Sequence, residues 1–376
     1  MDSRLQQPRR RFSPKLFEKH PAIWVALVLW VASNGFVHMV AKVATWEGEA
    51  KYFQVADLCQ HDCGWYERVL MEGYYRTPTA DSGSNWPFHP LFPIMTYPLQ
   101  HWLRLAPRLS LVLASKLALL FAIYGFLLLV GAETATFAER VFSGSLVAFN
   151  PYVIYAHAGY AEPLYFGLLA LAFYLLEKQQ WINSGIAGAL TSASRIIGFV
   201  YALSYATAWL RQAKWRPIWR QSDKLLGLML CPLGTAIYML YLYHHTGDAL
   251  AQVHSHIAWG KSPGSPVQAF LQAYSYHHWP RVFAFMAIAS LLASVYLFFL
   301  NKVELAVYLA VSTLLSLSGG FVSLARYIWW QPPFLCAIYY LLRRHSAWWP
   351  VYTTFAAGLA AYMIVSWWML GHLFIV

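Results

Sequence analysis

Long apolar runs set the pattern of this chain. The first extends from Ala22 to about Val43. Others lie near 109–131, 141–157, 161–176, 184–195, 197–210, 225–243, 281–300, 303–318, 326–342 and 349–372. A helix needs about 20 apolar residues to cross a bilayer, so the pattern predicts about eleven membrane-spanning helices. The short pair around 184–210 suits half-spans that re-enter the bilayer, which is tolerated only where they line a cavity. The run from Ala22 is long for a signal-peptide core and has no small-residue cleavage site, so it reads as a retained first helix. Two long stretches interrupt the pattern, 45–108 and 244–280. The fold class expected is therefore an all-α polytopic membrane protein, one domain over 1–376, whose two long external loops carry short interfacial helices.

Composition narrows the class. The 376 residues are 59% apolar and only 11% charged, against about 45–50% and 25% in soluble domains. That excludes an ordinary soluble enzyme, a disordered chain and a coiled coil. The net charge of +11 would suggest nucleic acid in a soluble protein, but its placement argues otherwise. With the N-terminus inside, alternate loops fall at 132–140, 177–183, 211–224, 301–304 and 343–348. Together with the basic N-terminal tail they hold roughly 16 of the 27 Lys and Arg residues, as the positive-inside rule requires. The charge mostly records topology, and no nucleic-acid partner is expected. The long loops face the outside, periplasm or lumen. No internal repeat is visible.

Cysteines divide the same way. Cys231 and Cys336 fall in expected spans, where buried thiols behave as small apolar groups. Cys59 and Cys63 lie in the first external loop, where an oxidising compartment permits a bridge; spacing alone leaves the pairing open.

Charged residues near spans are expensive unless they face a partner or a cavity. Asp62 lies in Cys59-Gln60-His61-Asp62-Cys63-Gly64-Trp65-Tyr66-Glu67, an aromatic stretch suited to the interface. A carboxylate in a partly dry place is a reasonable general base; helix capping or an ion pair with Arg68 is the alternative. Trp86-Pro87-Phe88-His89-Pro90-Leu91-Phe92-Pro93 holds three prolines and is expected to be non-helical, with His89 a possible phosphate contact or a buried structural residue. Glu162, before Pro163, either caps the next helix or lines a site. Arg195 and Arg326 fall in the outer half of the bilayer, where topology does not explain them. Guanidinium suits phosphate through paired charge-assisted bonds; internal salt bridges to Asp62 or Glu162 carry equal weight. The loop 244–280 holds six histidines, but no HExxH, no HxxxH pair and no carboxylate at a ligand offset, so no metal is expected.

In this order the motifs resemble those of the GT-C membrane glycosyltransferases, and most closely the GPI mannosyltransferase II (PIG-V) family and its bacterial relatives. His61-Asp62-Cys63-Gly64-Trp65-Tyr66 is similar to that family's Trp-Asp-(small)-x-(aromatic)-aromatic motif, with His61 in place of Trp. Phe88-His89-Pro90-Leu91-Phe92-Pro93 resembles Phe-Phe-Pro-Leu-Tyr-Pro, and Tyr160-Ala161-Glu162 resembles Tyr-Ser-Glu. Ser194-Arg195-Ile196-Ile197-Gly198 resembles Thr-Arg-Ser-Asn-Gly without its polar pair. Gly247-Asp248-Ala249-Leu250-Ala251-Gln252-Val253-His254 with Trp259-Gly260-Lys261 is similar to a Gly-Asp-Pro-Leu-Ala-Phe…Trp-Gly-Arg loop.

The resemblance implies inverting transfer from a polyprenyl- or dolichyl-phosphate sugar, mannose by analogy, to a hydroxyl on a glycolipid, glycan or protein, with no further cofactor. Asp62 would be the base. Arg195 and Arg326 would hold the lipid phosphate, and Glu162 would orient hydroxyls. His89 and His254 would bond sugar or phosphate, Trp65 and Trp259 would stack on a sugar face, and Tyr160 and Tyr327 belong to the same substrate-binding motifs. The expected location is the bacterial cytoplasmic membrane with an external site, or the ER membrane in a eukaryote. The rival readings are a lipid-linked sugar or phospholipid flippase, which would use the same arginines, and a non-catalytic membrane subunit.

Overall fold

The structure is a computed structural model that describes residues 21–46, 53–77, 83–131, 135–213, 221–259, 264–276 and 279–369. Among these residues the regular elements are all helices. In chain order they are α1 (Pro21–Trp46), α2 (Cys63–Glu72), α3 (Leu91–His101), α4 (Pro107–Leu129), α5 (Phe137–Ala148) and α6 (Glu162–Glu177). There follow α7 (Trp181–Ser194), α8 (Tyr201–Ala213), α9 (Ser222–Leu230), α10 (Leu233–Thr246), α11 (Ala251–His254) and α12 (Pro266–Ser275). The last are α13 (Trp279–Phe299), α14 (Val303–Ser318), α15 (Leu324–Trp329), α16 (Pro332–Leu342) and α17 (Trp348–Met369).

Among the described residues four helices are long and apolar enough to cross a membrane: Pro21–Thr45, Pro107–Leu129, Pro280–Phe299 and Trp348–Trp368. The pair α9 and α10, bent by 46°, makes a fifth if it is one span; Pro232 at the bend cannot donate the bond that would continue α9. Large apolar side chains on these helices face outward, among them Val28, Val31, Phe285, Leu292 and Phe355. Such surfaces suit hydrocarbon. The eleven expected runs are therefore not eleven long helices. Those at 141–157, 161–176, 184–195, 197–210, 303–318 and 326–342 form helices of 11 to 16 residues. Local chemistry shortens them. Pro151 follows the end of α5, and Pro332 separates α15 from α16 because the residue before a proline avoids helical geometry.

The proline-rich corner also departs from expectation. Its last residues are helical: Pro90 precedes α3, and Pro93 sits in the first turn. A proline is tolerated there because the amide it lacks has no intrahelical acceptor. The turn is confined to 85–90.

Helices α4, α6 and α7 form the centre, and α6 is buried on almost every side. Small residues permit the closest crossings. A Cβ on Gly185 would strike the Gly227 backbone, and one on Gly227 would strike the Tyr205 hydroxyl and, at 2.6 Å, the Trp181 carbonyl. Overpacking of this kind costs about 1–3 kcal/mol, so Gly227→Ala is expected to lower the thermal midpoint of the purified protein. Gly35→Ala, in open space on α1, is expected to leave it unchanged or raise it.

The short loops gather at one end. Arg211 pairs with Glu304 at 2.7 Å, Lys302 with Glu177 at 2.8 Å and Arg343 with Glu139 at 3.8 Å. These residues come from the expected inner loops or their borders. Such exposed pairs contribute little stability. The long loops meet at the other end, over the site.

Candidate functional site

Asp62 sits in a tight turn before α2. Cys59 and Cys63 are joined by a disulfide that brackets it. Tyr160 fastens the same turn from below. Its hydroxyl accepts from the Asp62 amide at 3.0 Å and donates to the Gln60 carbonyl at 3.1 Å. His61, between them, has φ +53°, a conformation uncommon outside glycine. Ser323, at the start of α15, has φ +65°. Two left-handed non-glycine residues thus flank Asp62 and Arg326, and strain of this kind concentrates at functional sites.

Four charges from four distant segments converge. Arg326 Nη1 donates to Asp62 Oδ2 at 3.2 Å, and its Nε lies 3.4 Å from Glu162 Oε1. Arg195 Nη1 pairs with the same Glu162 oxygen at 2.5 Å. Side-chain exposure is 16% for Asp62, 2% for Glu162, 19% for Arg195 and 6% for Arg326, so the quartet is largely dry and formally neutral. The rings of Tyr155 and Tyr327 face the Arg326 guanidinium at 4.8 and 5.1 Å, and Tyr327 faces Arg195 at 4.8 Å. Glu162 Oε2 is buried and has no hydrogen-bond partner among the described residues.

Each charge owes its place to a local break. Glu162 opens α6 ahead of Pro163. Arg195 ends α7 in extended geometry, φ −155° and ψ 144°, before the 3-10 turn Ile196–Val200. Gly198 permits that reversal, because a Cβ there would lie 2.5 Å from the Thr191 carbonyl oxygen. The runs expected as half-spans around 184–210 form helices α7 and α8 with this turn between them.

All four charges line one cavity of about 360 Å³. Tyr160 and Tyr327 line it too. Its other walls include Tyr66, His256 and Gln331, with apolar Ile197, Phe199, Leu315 and Val322. The chemistry is that of a polar, charge-balanced floor under an apolar mouth.

Several expected site residues lie elsewhere. His89 is fully buried, donates from Nδ1 to the Ser192 carbonyl at 3.1 Å and faces Gln252. Burial pushes its imidazole down to about 4, so it is neutral and holds the corner against α7 instead of binding phosphate. His254 pairs with Asp248 at 2.7 Å in an exposed turn, and His256, two residues on, takes the cavity wall. Trp65 stacks on Phe88, with centroids 6.1 Å apart, and Arg68 lies over it at 4.9 Å. Tyr66 takes the wall instead, because neighbouring positions on α2 point about 100° apart. The alternatives weighed for Asp62 also resolve: its side chain makes no capping bond, and its partner is Arg326, not Arg68. The Trp259 side chain, Gly260, Lys261, His277 and His278 lie outside the described residues. No spacing rule distinguished His256 from His254, and Gln331 was hidden among prolines.

No family model matches this chain, and no curated protein matches it.

Proposed function

We propose that the chain is a membrane glycosyltransferase of GT-C type, related to the PIG-V group, that transfers a sugar from a polyprenyl-phosphate donor to an acceptor hydroxyl. The observation that carries this reading is the convergence of Asp62, Glu162, Arg195 and Arg326 on one cavity with an apolar mouth.

Inverting transfer forms a bond from the acceptor oxygen to the sugar's anomeric carbon and breaks the bond from that carbon to the phosphate oxygen. Asp62 takes the acceptor proton. The electron pair of the broken bond goes to phosphate, where Arg326 and Arg195 meet the growing charge. Glu162 Oε2 accepts from a sugar hydroxyl, while Oε1 holds the two guanidiniums in register. Arg326 is shared between Asp62 and Glu162. A donor phosphate that draws Arg326 toward itself frees Asp62, so donor binding precedes and prepares proton transfer. Phe199, Ile197, Leu315 and Val322 offer the apolar contact that the first isoprenoid units need. The sugar is proposed to be mannose and the acceptor a glycolipid, glycan or protein. The shorter helices complete a bundle of about eleven passes, with the N-terminus cytoplasmic and the site on the outer face of a bacterial cytoplasmic membrane.

The test is incubation of purified protein in nanodiscs with polyprenyl-phosphate mannose and a lipid acceptor. Mannosylated product and free polyprenyl phosphate are expected. Movement of intact donor across vesicle membranes with no product would replace this reading with a flippase.

A further inference from the structure

A second polar cluster lies in the membrane domain, away from the cavity. Lys116 of α4 is only 4% exposed. Its Nζ donates to Asn34 Oδ1 at 2.8 Å, His38 Nε2 at 3.2 Å and His157 Nδ1 at 3.0 Å. An ammonium has three protons and no lone pair, so three acceptors satisfy it. Both imidazoles must then be neutral at the atoms that face it. His157 carries its proton on Nε2 and donates to Ser33 Oγ at 3.2 Å; Ser33 donates in turn to the Ala148 carbonyl at 2.6 Å. Among the described residues no carboxylate pairs with Lys116.

Among the described residues no further titratable group bonds to Lys116, His38 or His157. From α1 come His38, Asn34 and Ser33, and from the 150–161 loop comes His157. The segment at 53–58 presents Phe53, whose ring meets His38 at 5.7 Å, and α17 presents Trp368 behind Phe53. Asp57 of that segment is held by the Gln54 amide at 2.6 Å.

What the cluster holds is the loop beneath the cavity. Ser115, beside Lys116, accepts from the Gly159 amide at 3.1 Å. Gly159 is at φ +80°, and a Cβ there would meet Cys63 Sγ at 2.6 Å. Tyr155 and Tyr160 of the same loop face Arg326 and fasten the Asp62 turn.

We propose that Lys116, His38 and His157 form a proton-binding site that holds one proton, on Lys116, and locks the 150–161 loop, and that a second proton taken up on His157 Nδ1 from the external side releases it. The added proton converts the acceptor of the Lys116 bond into a second donor and sets two cations about 3 Å apart in a dry place. The bond from Lys116 to His157 breaks, and the loop loses that hold on α4 while the Gly159–Ser115 bond remains. The site lies outside the quartet and does not depend on the sugar-transfer reading.

The sign follows from linkage. An imidazole kept neutral in the folded protein binds fewer protons than in the unfolded chain below about pH 6.5, so stability falls as pH falls through that range. Each such group lowers the folding constant about tenfold per pH unit. The test is thermal denaturation of the full chain in nanodiscs between pH 8 and pH 5. His157→Gln retains an acceptor for Lys116 and cannot be protonated; it should lose about tenfold less in folding constant per pH unit than the wild type. Lys116→Met removes the opposing charge and should shrink the acid loss as well. Deuterium exchange at the His157 imidazole carbon, read by mass spectrometry on the wild-type protein, needs no variant to fold. A midpoint well below 6.5 is expected. A midpoint at or above 6.5, or an unchanged acid slope in both variants, overturns the proposal.

Discussion

Asp62→Asn is expected to reduce sugar transfer by about 10²–10⁴-fold, the range that a positioned general base contributes, while the protein folds and still binds donor. Asparagine is nearly isosteric, and its oxygen can still accept from Arg326 Nη1. The disulfide and the Tyr160 bonds that hold the turn do not involve the carboxylate. Donor affinity should be unchanged or higher, because a neutral amide competes less with phosphate for Arg326. Transfer rate and donor dissociation constant, measured on the same preparation, separate the two effects. Near-normal turnover would remove Asp62 from the base role.

Arg326→Ala should act the other way, on the donor. A hydrogen bond to a charged group is worth about 1.5–3 kcal/mol, so donor affinity should fall by about one to two orders of magnitude, with acceptor binding little changed. Stability should also fall. Removing one partner of a buried pair costs about 3–5 kcal/mol, and here two carboxylates lose their shared cation, although the 16% exposure of Asp62 moderates the loss. Arg326→Lys keeps the charge but not the forked geometry and should restore stability more fully than affinity. If folded Arg326→Ala binds donor as the wild type does, Arg195 is the principal phosphate ligand and the roles assigned here must be exchanged.

The helices were legible because apolar runs report a solvent boundary, which acts on every residue along the chain. The expected inner loops do come together, through Arg211 with Glu304 and Lys302 with Glu177. Helix length was less legible. Composition cannot show where Asn150-Pro151 or Pro332 stops a helix short of bilayer thickness. For the cavity, charge beside apolar runs was the signal: Asp62, Glu162, Arg195 and Arg326 were each conspicuous in the sequence, and each lines it. Salt bridges from Arg195 and Arg326 to Asp62 or Glu162 were one of the two readings; which arginine meets which carboxylate was not readable, because Asp62 and Arg326 lie more than 260 positions apart. Aromatic and histidine contacts fared worst. Whether Trp65 or Tyr66, and His254 or His256, faces the cavity depends on a rotation of one or two residues that no pattern in a short turn determines. The Lys116 cluster escaped notice because one lysine in an apolar run reads as a flaw in the pattern until His38 and His157 are seen beside it.

The pairing of each arginine with a carboxylate also bears on how a catalytic cycle would end. An enzyme whose cations stood alone would bind its phosphate product as tightly as its substrate and would stall on it. Here Asp62 and Glu162 lie next to the guanidiniums. Under the proposed reaction they would compete with the polyprenyl phosphate for the same N–H donors once the sugar had gone, and the reformed neutral quartet would favour its departure. Turnover limited by product escape would then respond to Glu162→Gln as slower release, visible as a burst of one product per enzyme before the steady rate.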